Sequence, residues 1–164
     1  MKYVTADPHF CHDEIRIYCD RPFSTYKEMN NVIISRYNEI LTNDDTLYIV
    51  GDFGLTDNFN QLKSITNKIR GRKILILGNH DNFKPFTYIS MGFESVHTSL
   101  DIGSAILVHD PAVATVDSSR KFICGHVHRL FKAIGNVVNV GVDVWDYYPI
   151  TIEKALSEIN MEDE

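Results

Sequence analysis

The sequence predicts an α/β (α+β) domain, because short β-rich apolar runs alternate with helical patterns in its first half and follow one another closely in its second. The runs over 46–50 and 73–77 are apolar almost throughout, which is typical of buried strands. The β-α-β-α-β order of the first half favours a mixed sheet with parallel strands, and the second half favours antiparallel hairpins. The predicted strands are 2–6, 46–50, 73–77, 104–108, 121–124 and 137–140.

Helices are predicted where apolar residues recur at helical spacing. Thr25 and Glu28 form a capping box near the start of the first helix. Asp57 is the expected N-cap of the second, and Gly71 follows its end as a stop signal. The predicted helices are 24–41, 58–70 and 152–159.

Length and composition favour one globular domain over 1–164, with 161–164 frayed. Hydrophobic residues make up 44% of the chain and charged residues 23%, as in ordinary soluble proteins. No apolar run approaches the roughly 20 residues that span a bilayer, and the first residues are too polar for a signal peptide. Three cysteines without a C-x-x-C pair favour reduced thiols. We therefore expect a cytoplasmic protein that does not bind membranes.

The formal net charge of −6 argues against a general duplex nucleic-acid binder, which would normally carry a basic face. Many of the acids could instead be metal ligands, and bound divalent cations would change the local sign of the charge.

Metal-binding types of side chain follow the predicted strands, at the point where each strand ends. Ligands of open α/β sheets gather at the carboxyl ends of strands, so these side chains are expected to converge. Imidazoles suit zinc, iron, nickel and copper, and carboxylates suit harder cations such as manganese. The segments are Asp7-Pro8-His9, Gly51-Asp52, Gly78-Asn79-His80-Asp81, His109 and Gly125-His126-Val127-His128.

This mixture of nitrogen and oxygen donors fits two cations about 3.5–4 Å apart, which can clamp both oxygens of an in-line phosphoryl displacement. A carboxylate between the cations would offset their mutual repulsion. Gly51, Gly78 and Gly125 would let the chain turn sharply beside the cluster.

The motifs D-x-H, G-D, G-N-H-D, a lone histidine and G-H-x-H, in this order, resemble those of the calcineurin-like metallophosphoesterases. The resemblance covers most of the chain and implies a sandwich of two β-sheets flanked by helices. It also implies two metal sites that share one bridging carboxylate. The implied ligands are Asp7, His9 and His128 for one metal, Asn79, His109 and His126 for the other, and Asp52 as the bridge.

The same resemblance assigns His80 a role without metal ligation. It would sit over the phosphate and stabilise the transition state or protonate the leaving oxygen. Asp81 would orient His80 through a hydrogen bond, as acidic partners commonly do for a functional imidazole.

The chain lacks the arginine of the family's protein phosphatases and looks more like small stand-alone phosphoesterases of bacteria and phages. Several of these share an H-F-x-H stretch, an R-P-F and an N-V-G-V-D. The matching segments are His9-Phe10-Cys11-His12, Arg21-Pro22-Phe23 and Asn139-Val140-Gly141-Val142-Asp143.

Other polar residues keep two interpretations each. His12 could contact the substrate or leaving group, or lie on the surface. Arg21 could bind phosphate through two hydrogen bonds or form a structural ion pair. Asp143 supports either the site or a turn. In an extended strand, Arg129 would point away from its neighbour His128.

Four more residues are interpreted mainly as structural. His97 lies outside every motif and is expected to be structural or exposed. The aromatic rings near the end of the chain could stack on a nucleobase, although packing is favoured. These rings are Trp145, Tyr147 and Tyr148.

The expected function is hydrolysis of a phosphate ester, a diester rather than a monoester, with a nucleotide or another small phosphodiester as substrate. Manganese is the expected metal, with iron, zinc or nickel as alternatives. Phosphomonoesterase activity and a non-catalytic, metal-bound scaffold remain as other functions. The sequence does not decide the oligomeric state.

Overall fold

The computed structural model describes residues 1–116 and 119–159, and the predicted frayed segment 161–164 lies outside them. The described chain contains two five-stranded mixed sheets with helices packed around them, which confirms the α/β (α+β) two-sheet fold class. The strands are β1 (Lys2–Thr5), β2 (Thr46–Val50), β3 (Arg72–Ile76), β4 (Ser95–His97), β5 (Ser99–Asp101), β6 (Ile106–Val108), β7 (Phe122–Cys124), β8 (Ala133–Ile134), β9 (Val137–Asn139) and β10 (Ile150–Thr151).

The helices connect the strands and cover more of the described chain than the strands do. The α-helices are α1 (Ile15–Tyr18), α2 (Tyr26–Ile40), α3 (Phe59–Lys68), α4 (Pro85–Met91) and α5 (Ile152–Leu156), and the 3₁₀ helices are Pro111–Val116 and Val142–Val144. None of the helices within the described residues is long and apolar enough to cross a membrane.

The first sheet has the order β10-β1-β2-β3-β4. Strands β1 to β4 run parallel, and β10 pairs with β1 in the antiparallel direction. The pairs β1-β2 and β2-β3 follow from the crossover helices α2 and α3, as the sequence predicts, whereas the unpredicted helix α4 connects β3 to β4. The carboxyl ends of β1, β2 and β3 therefore lie side by side at one edge of the sheet.

The second sheet has the order β5-β6-β7-β9-β8. Its outer pairs, β5 with β6 and β8 with β9, are antiparallel, but β6-β7 and β7-β9 are parallel. The prediction of antiparallel hairpins is therefore wrong for the centre of this sheet. Parallel pairing there places the carboxyl ends of β6 and β7 next to each other.

The core has two main layers, because successive residues of a strand point to opposite faces. Val4 and Val50 of the first sheet belong to the layer that also holds Leu107 and Ile123 of the second sheet. Leu47, Ile49 and Leu75 instead belong to a layer packed with residues of the helices α2, α3 and α4. The first sheet is thus covered on both faces.

The helix ends match the sequence at some points and differ at others. Thr25 caps α2 by accepting a hydrogen bond from the backbone N–H of Glu28 at 3.1 Å, as predicted. The cap of α3 is Asn58 rather than Asp57, since the Asn58 side chain accepts from the N–H of Gln61. Helices α1 and α4 were not predicted, because each is too short to show a clear apolar period.

Candidate metal centre

The structure brings the side chains of all seven predicted metal ligands together at the carboxyl ends of the strands. They form one continuous set of contacts, from Asp7 beside His109 and His126 to the ring of His9 beside that of His128. The convergence expected from the strand-end pattern is therefore present, and metal ligation by these residues stays a prediction.

Asp52 lies at the centre of this cluster. Its Oδ2 is 3.3 Å from His9 Nε2 and 3.4 Å from His109 Nε2. Its Oδ1 accepts a hydrogen bond of 2.9 Å from the backbone N–H of His80. The carboxylate thus faces imidazoles from both halves of the chain, and it also fixes the loop that carries His80.

The position of the proton on His109 is fixed by its backbone contact. Its Nδ1 lies 2.9 Å from the carbonyl oxygen of Val50, which can only accept, so Nδ1 carries hydrogen. In the neutral ring, the Nε2 lone pair then faces Asn79 Oδ1 at 3.0 Å, and His126 Nδ1 lies 3.1 Å from the same oxygen. With the amide in this orientation, two electron-rich atoms face each other; a flip of the amide, a proton on Nε2 or a cation between the two atoms would relieve this.

Five of the seven predicted ligands share a backbone conformation that is uncommon for residues other than glycine, and Cys11, Asp20, Asp146 and Tyr147 share it too. Asp7, His9, Asp52, His126 and His128 all adopt left-handed backbone conformations, with φ between 47° and 71°. Such conformations cost a non-glycine residue about 1–3 kcal/mol and cluster at functional sites. Five residues in this conformation meet in one cluster. The strained backbone there directs their side chains inward at a cost in local stability.

Two glycines make this close arrangement possible. A Cβ atom at Gly51 would overlap the ring of His109, and one at Gly78 would overlap the carboxylate of Asp52. Gly51 also has a φ of 86°, which side-chain-bearing residues rarely adopt. Both positions therefore require glycine on steric grounds.

Burial and mutual contact shift the pKa values of the cluster in opposite directions. Burial raises the pKa of Asp7 to about 6 and lowers that of His9 to about 4. Burial would also raise the pKa of Asp52, but the nearby His109 and His9 outweigh it and hold that pKa far below its usual range. Burial opposes protonation of His109, yet the Asp52 carboxylate outweighs it and raises the pKa to about 9. A proton on His109 thus offsets buried negative charge that a cation could offset instead.

The donor atoms fit a divalent cation in two overlapping groups. The first donor group is Asp7, His9 and Asp52, and the second is Asp52, His109 and His126; within each group the donor atoms lie within 4.8 Å of one another. The buried Nε2 of His9 has no hydrogen-bond partner in residues 1–116 and 119–159. Such an orphaned atom calls for an explanation, and a cation between His9 and Asp52 supplies one.

The ring of His128 is held by a buried ion pair. Its Nδ1 lies 3.1 Å from Asp143 Oδ2, and Asp143 forms two hydrogen bonds of 2.8 and 2.9 Å with Arg21. The side chains of Arg21 and Asp143 are 0% and 1% exposed. Arg21 also donates to the backbone carbonyls of Asp7 and Pro8. Asp143 therefore leaves the Nε2 of His128 as the nitrogen available to a metal.

This environment corrects one prediction for Arg21. Its guanidinium is occupied by Asp143 and backbone carbonyls, so it cannot bind a substrate phosphate, and the structural ion pair is the right alternative. A third group of possible metal donors, Cys19 with His128 and Asp143, surrounds the same pair. Because Asp143 is committed to Arg21 and His128, we interpret this group as support for the ring rather than as a separate metal site.

Changing Asp143 to asparagine is expected to weaken manganese binding by about 10–100-fold, the usual cost of losing a partner that orients a metal-binding histidine. The amide keeps the shape of the side chain but loses its charge. Calorimetric titration of the metal-free protein with manganese measures the change. Asp146→Asn is the matched control, since Asp146 is exposed and pairs with Arg36. Unchanged affinity in a folded Asp143→Asn protein would contradict this role.

Asp81 does not orient the ring of His80 as predicted. Its carboxylate accepts hydrogen bonds from the backbone N–H groups of Gly78, Asp52 and Phe53 at 2.7–2.9 Å. Burial raises its pKa to about 7 against the effect of these donors. Asp81 therefore ties the loop after β3 to the loop after β2, and it acts on the backbone around the site.

Two cavities border the cluster. The His80 cavity, about 450 Å³, is lined by His12, Ile15, Tyr18, Cys19, His80, His128 and Arg129. The Asp110 cavity, about 430 Å³, is lined by Leu77, Gly78, Asn79, Thr98, Ser99, Val108, His109, Asp110, Val113 and His126. They share no lining residue and meet the cluster at different histidines.

The positions of His12 and Arg129 in the lining of the His80 cavity bear on the two interpretations that the sequence left for each of them. His12 is buried, with its Nδ1 3.2 Å from His9 Nδ1, so it is not a surface histidine; contact with a substrate stays a prediction. Arg129 lines the same cavity as His128, so the expectation that it points away is wrong. The reason is that 126–130 forms turns rather than a strand.

The terminal aromatic rings and His97 are used in packing. Trp145 Nε1 donates to the carbonyl of Asn139 at 2.8 Å, and Tyr148 donates to Glu39. The ring of Tyr147 is buried against Phe23. His97 lies in β4 and contacts the hydroxyl of Ser95, and like these rings it borders neither cavity.

Comparison with known proteins gives relatives but no family model that matches. An uncharacterized protein of Methanocaldococcus jannaschii, MJ1445, is 29% identical over 162 residues, covering 92% of this chain and 86% of that protein. The gene 66 protein of Mycobacterium phage L5 is 26% identical over 183 residues, with 87% and 86% covered.

Two solved structures share the fold. The protein AQ665 of Aquifex aeolicus, described as of unknown function, superposes with a TM-score of 0.74 at 26% identity, covering 97% of this chain and 99% of its own. The Pseudomonas putida nuclease MPE superposes with a TM-score of 0.54 at 20% identity, covering 77% and 61%. The first extends over nearly the whole described fold, and it supports the two-sheet architecture.

Proposed function

We propose that the chain is a dinuclear-metal-dependent phosphodiesterase of the calcineurin-like type, acting on nucleotides or other small phosphodiesters. One observation carries the proposal: the two donor groups share the carboxylate of Asp52. A shared carboxylate is what two neighbouring cations need to offset their repulsion. The left-handed backbone at the predicted ligands and the orphaned His9 nitrogen support the same conclusion.

The chain would hold its cations with residues from both sheets. Asp7, His9 and His128 would bind one and Asn79, His109 and His126 the other, with Asp52 between them. Manganese suits this mixture of oxygen and nitrogen donors, as would iron, zinc or nickel. The cations would polarise the phosphoryl oxygens and supply a nucleophile from water at neutral pH.

His80 is the proposed proton donor to the leaving oxygen. Its backbone N–H is bound to Asp52, which fixes the loop beside the predicted metals. Its half-buried ring lies with its centroid 5.3 Å from that of His9 and 5.7 Å from that of His12. The ring therefore borders both the metal cluster and the His80 cavity, where it can stabilise charge on a departing oxygen.

The two cavities favour a diester over a monoester. A diester carries two substituents on phosphorus, and the cluster has one cavity of nucleoside-accommodating size on each side. A monoester would need only one. The nuclease activity named for the Pseudomonas putida structure belongs to this reaction class, since nucleases cleave phosphodiesters.

Manganese-loaded protein is expected to hydrolyse bis-p-nitrophenyl phosphate faster than p-nitrophenyl phosphate. Release of p-nitrophenolate measures both rates, and elemental analysis of the same sample measures bound metal. The diester is preferred because both of its substituents find a cavity. Metal-replete protein that hydrolyses neither ester would contradict the proposal. Faster hydrolysis of the monoester would identify the protein as a phosphomonoesterase instead.

A further inference from the structure

The two cavities differ in chemistry as well as in position. The His80 cavity is lined by three imidazoles, the apolar groups of Ile15 and Tyr18, the thiol of Cys19 and the guanidinium of Arg129. No acidic side chain of the described residues lines it, whereas Asp110 lines the other cavity. Both cavities have apolar side chains in their lining, among them Leu77, Val108 and Val113 in the Asp110 cavity. The His80 cavity differs in that its described lining contains a tyrosine ring and no carboxylate.

Tyr18 is an aromatic side chain that packing does not explain. It lies at the end of helix α1, and 76% of it is exposed although it borders the cavity. In contrast, Tyr37 and Tyr88 are fully buried, and Tyr148 has a hydrogen-bond partner in Glu39. An exposed ring beside a predicted active site offers a flat surface on which another flat ring can stack.

The cavity also contains the group that would assist the departing oxygen. His80 and His12 line its wall next to the metal cluster, and Tyr18 and Arg129 belong to the same lining. Arg129 donates a hydrogen bond of 3.1 Å to the backbone carbonyl of Cys19 and lies 3.6 Å from exposed Asp20. A leaving group that takes its proton from His80 would therefore extend toward Tyr18.

We infer that the His80 cavity binds the leaving group of the substrate, and that this group is a planar aromatic one such as a nucleobase, stacked on Tyr18. The other substituent, which stays on phosphorus, would occupy the Asp110 cavity. This inference rests on the proposed phosphodiesterase function and names the side of the site that each half of the substrate uses.

The test compares two diesters that share one leaving group. Bis-p-nitrophenyl phosphate and methyl p-nitrophenyl phosphate both release p-nitrophenolate, but they keep a different group on phosphorus. Tyr18→Ala is expected to lower kcat/KM about tenfold on both, the usual effect of losing one stacking ring. Tyr18→Phe should retain the wild-type value. The control is Ile17→Ala, because Ile17 is 73% exposed on the same helix but does not line the cavity.

A binding measurement on metal-loaded protein gives a readout besides turnover. Adenosine serves as the probe for a released leaving group, and Tyr18→Ala should raise its dissociation constant about tenfold, with no change in Ile17→Ala. A loss of kcat/KM confined to the bis-p-nitrophenyl ester would place the retained group on Tyr18 and overturn the inference. So would a Tyr18→Ala protein equal to wild type in both measurements, while the phosphodiesterase function stands. A wild-type protein without turnover would overturn that function and the inference together.

Discussion

Changing Asp52 to asparagine is expected to remove both cations together. The carboxylate belongs to both donor groups and lies 3.3–3.4 Å from His9 and His109. An amide keeps one oxygen but loses the negative charge that offsets two neighbouring cations. We expect manganese affinity to fall more than about 100-fold, beyond the usual effect of a residue that only supports a ligand. Phosphodiester hydrolysis should fall below detection.

Elemental analysis after gel filtration, with manganese titration by calorimetry, measures this loss. Asp44→Asn is the matched control, because Asp44 is exposed and lies in the turn before β2. Circular dichroism establishes whether each variant is folded. A folded Asp52→Asn protein that loses one cation and keeps the other would contradict a shared bridging position, and one that keeps both would contradict the assignment of Asp52 altogether.

The convergence of the predicted metal ligands could be expected from the sequence, because most of these residues directly follow the carboxyl end of a strand. Asp7, Asp52 and Asn79 follow three parallel strands of one sheet, so their positions at one edge follow from the β-α-β-α-β pattern. His109 and His126 follow β6 and β7, and these strands also proved parallel. The prediction thus held for the second sheet even though its strand directions were partly wrong.

The parts that could not be predicted depend on contacts between distant segments. Arg21 and Asp143 are 122 positions apart, and no local pattern indicates that they pair. Both lie in short motifs that made them candidate site residues. Only the tertiary structure shows that the hydrogen-bond donors of the Arg21 guanidinium are already bound to Asp143 and to backbone carbonyls. Asp81 was misassigned for the same reason, since the backbone groups that it binds come partly from the loop after another strand.

Short helices and short connections could not be predicted from the sequence either. Helix α1 has four residues, which is too few to show a period, yet it places Ile15 in the core and Tyr18 at the His80 cavity. The parallel crossover between β6 and β7 contains a 3₁₀ helix rather than a long α-helix, so the sequence resembles a hairpin connection there. In both places, tertiary packing rather than local periodicity determines the structure.

Changing His80 to alanine is expected to lower kcat for phosphodiesters by about 10²–10⁴, the usual contribution of a general acid, while both cations stay bound. The side chain lies beside the cluster, and the contact of Asp52 with residue 80 uses the backbone N–H, which alanine keeps. Steady-state kinetics measures the loss, and elemental analysis measures the metals. His97→Ala is the control, because His97 contacts Ser95 in β4 and borders neither cavity.

The chemical role of His80 can be separated from a purely structural one by varying the leaving group. p-Nitrophenolate leaves without a proton, whereas the alkoxide of a dinucleotide needs one. A proton donor at His80 therefore predicts a larger loss in His80→Ala on a dinucleotide than on bis-p-nitrophenyl phosphate. Equal losses on the two substrates would indicate that His80 stabilises charge on the phosphoryl group instead. A His80→Ala protein with wild-type rates and intact metals would remove His80 from catalysis and leave the cluster to act through its cations alone.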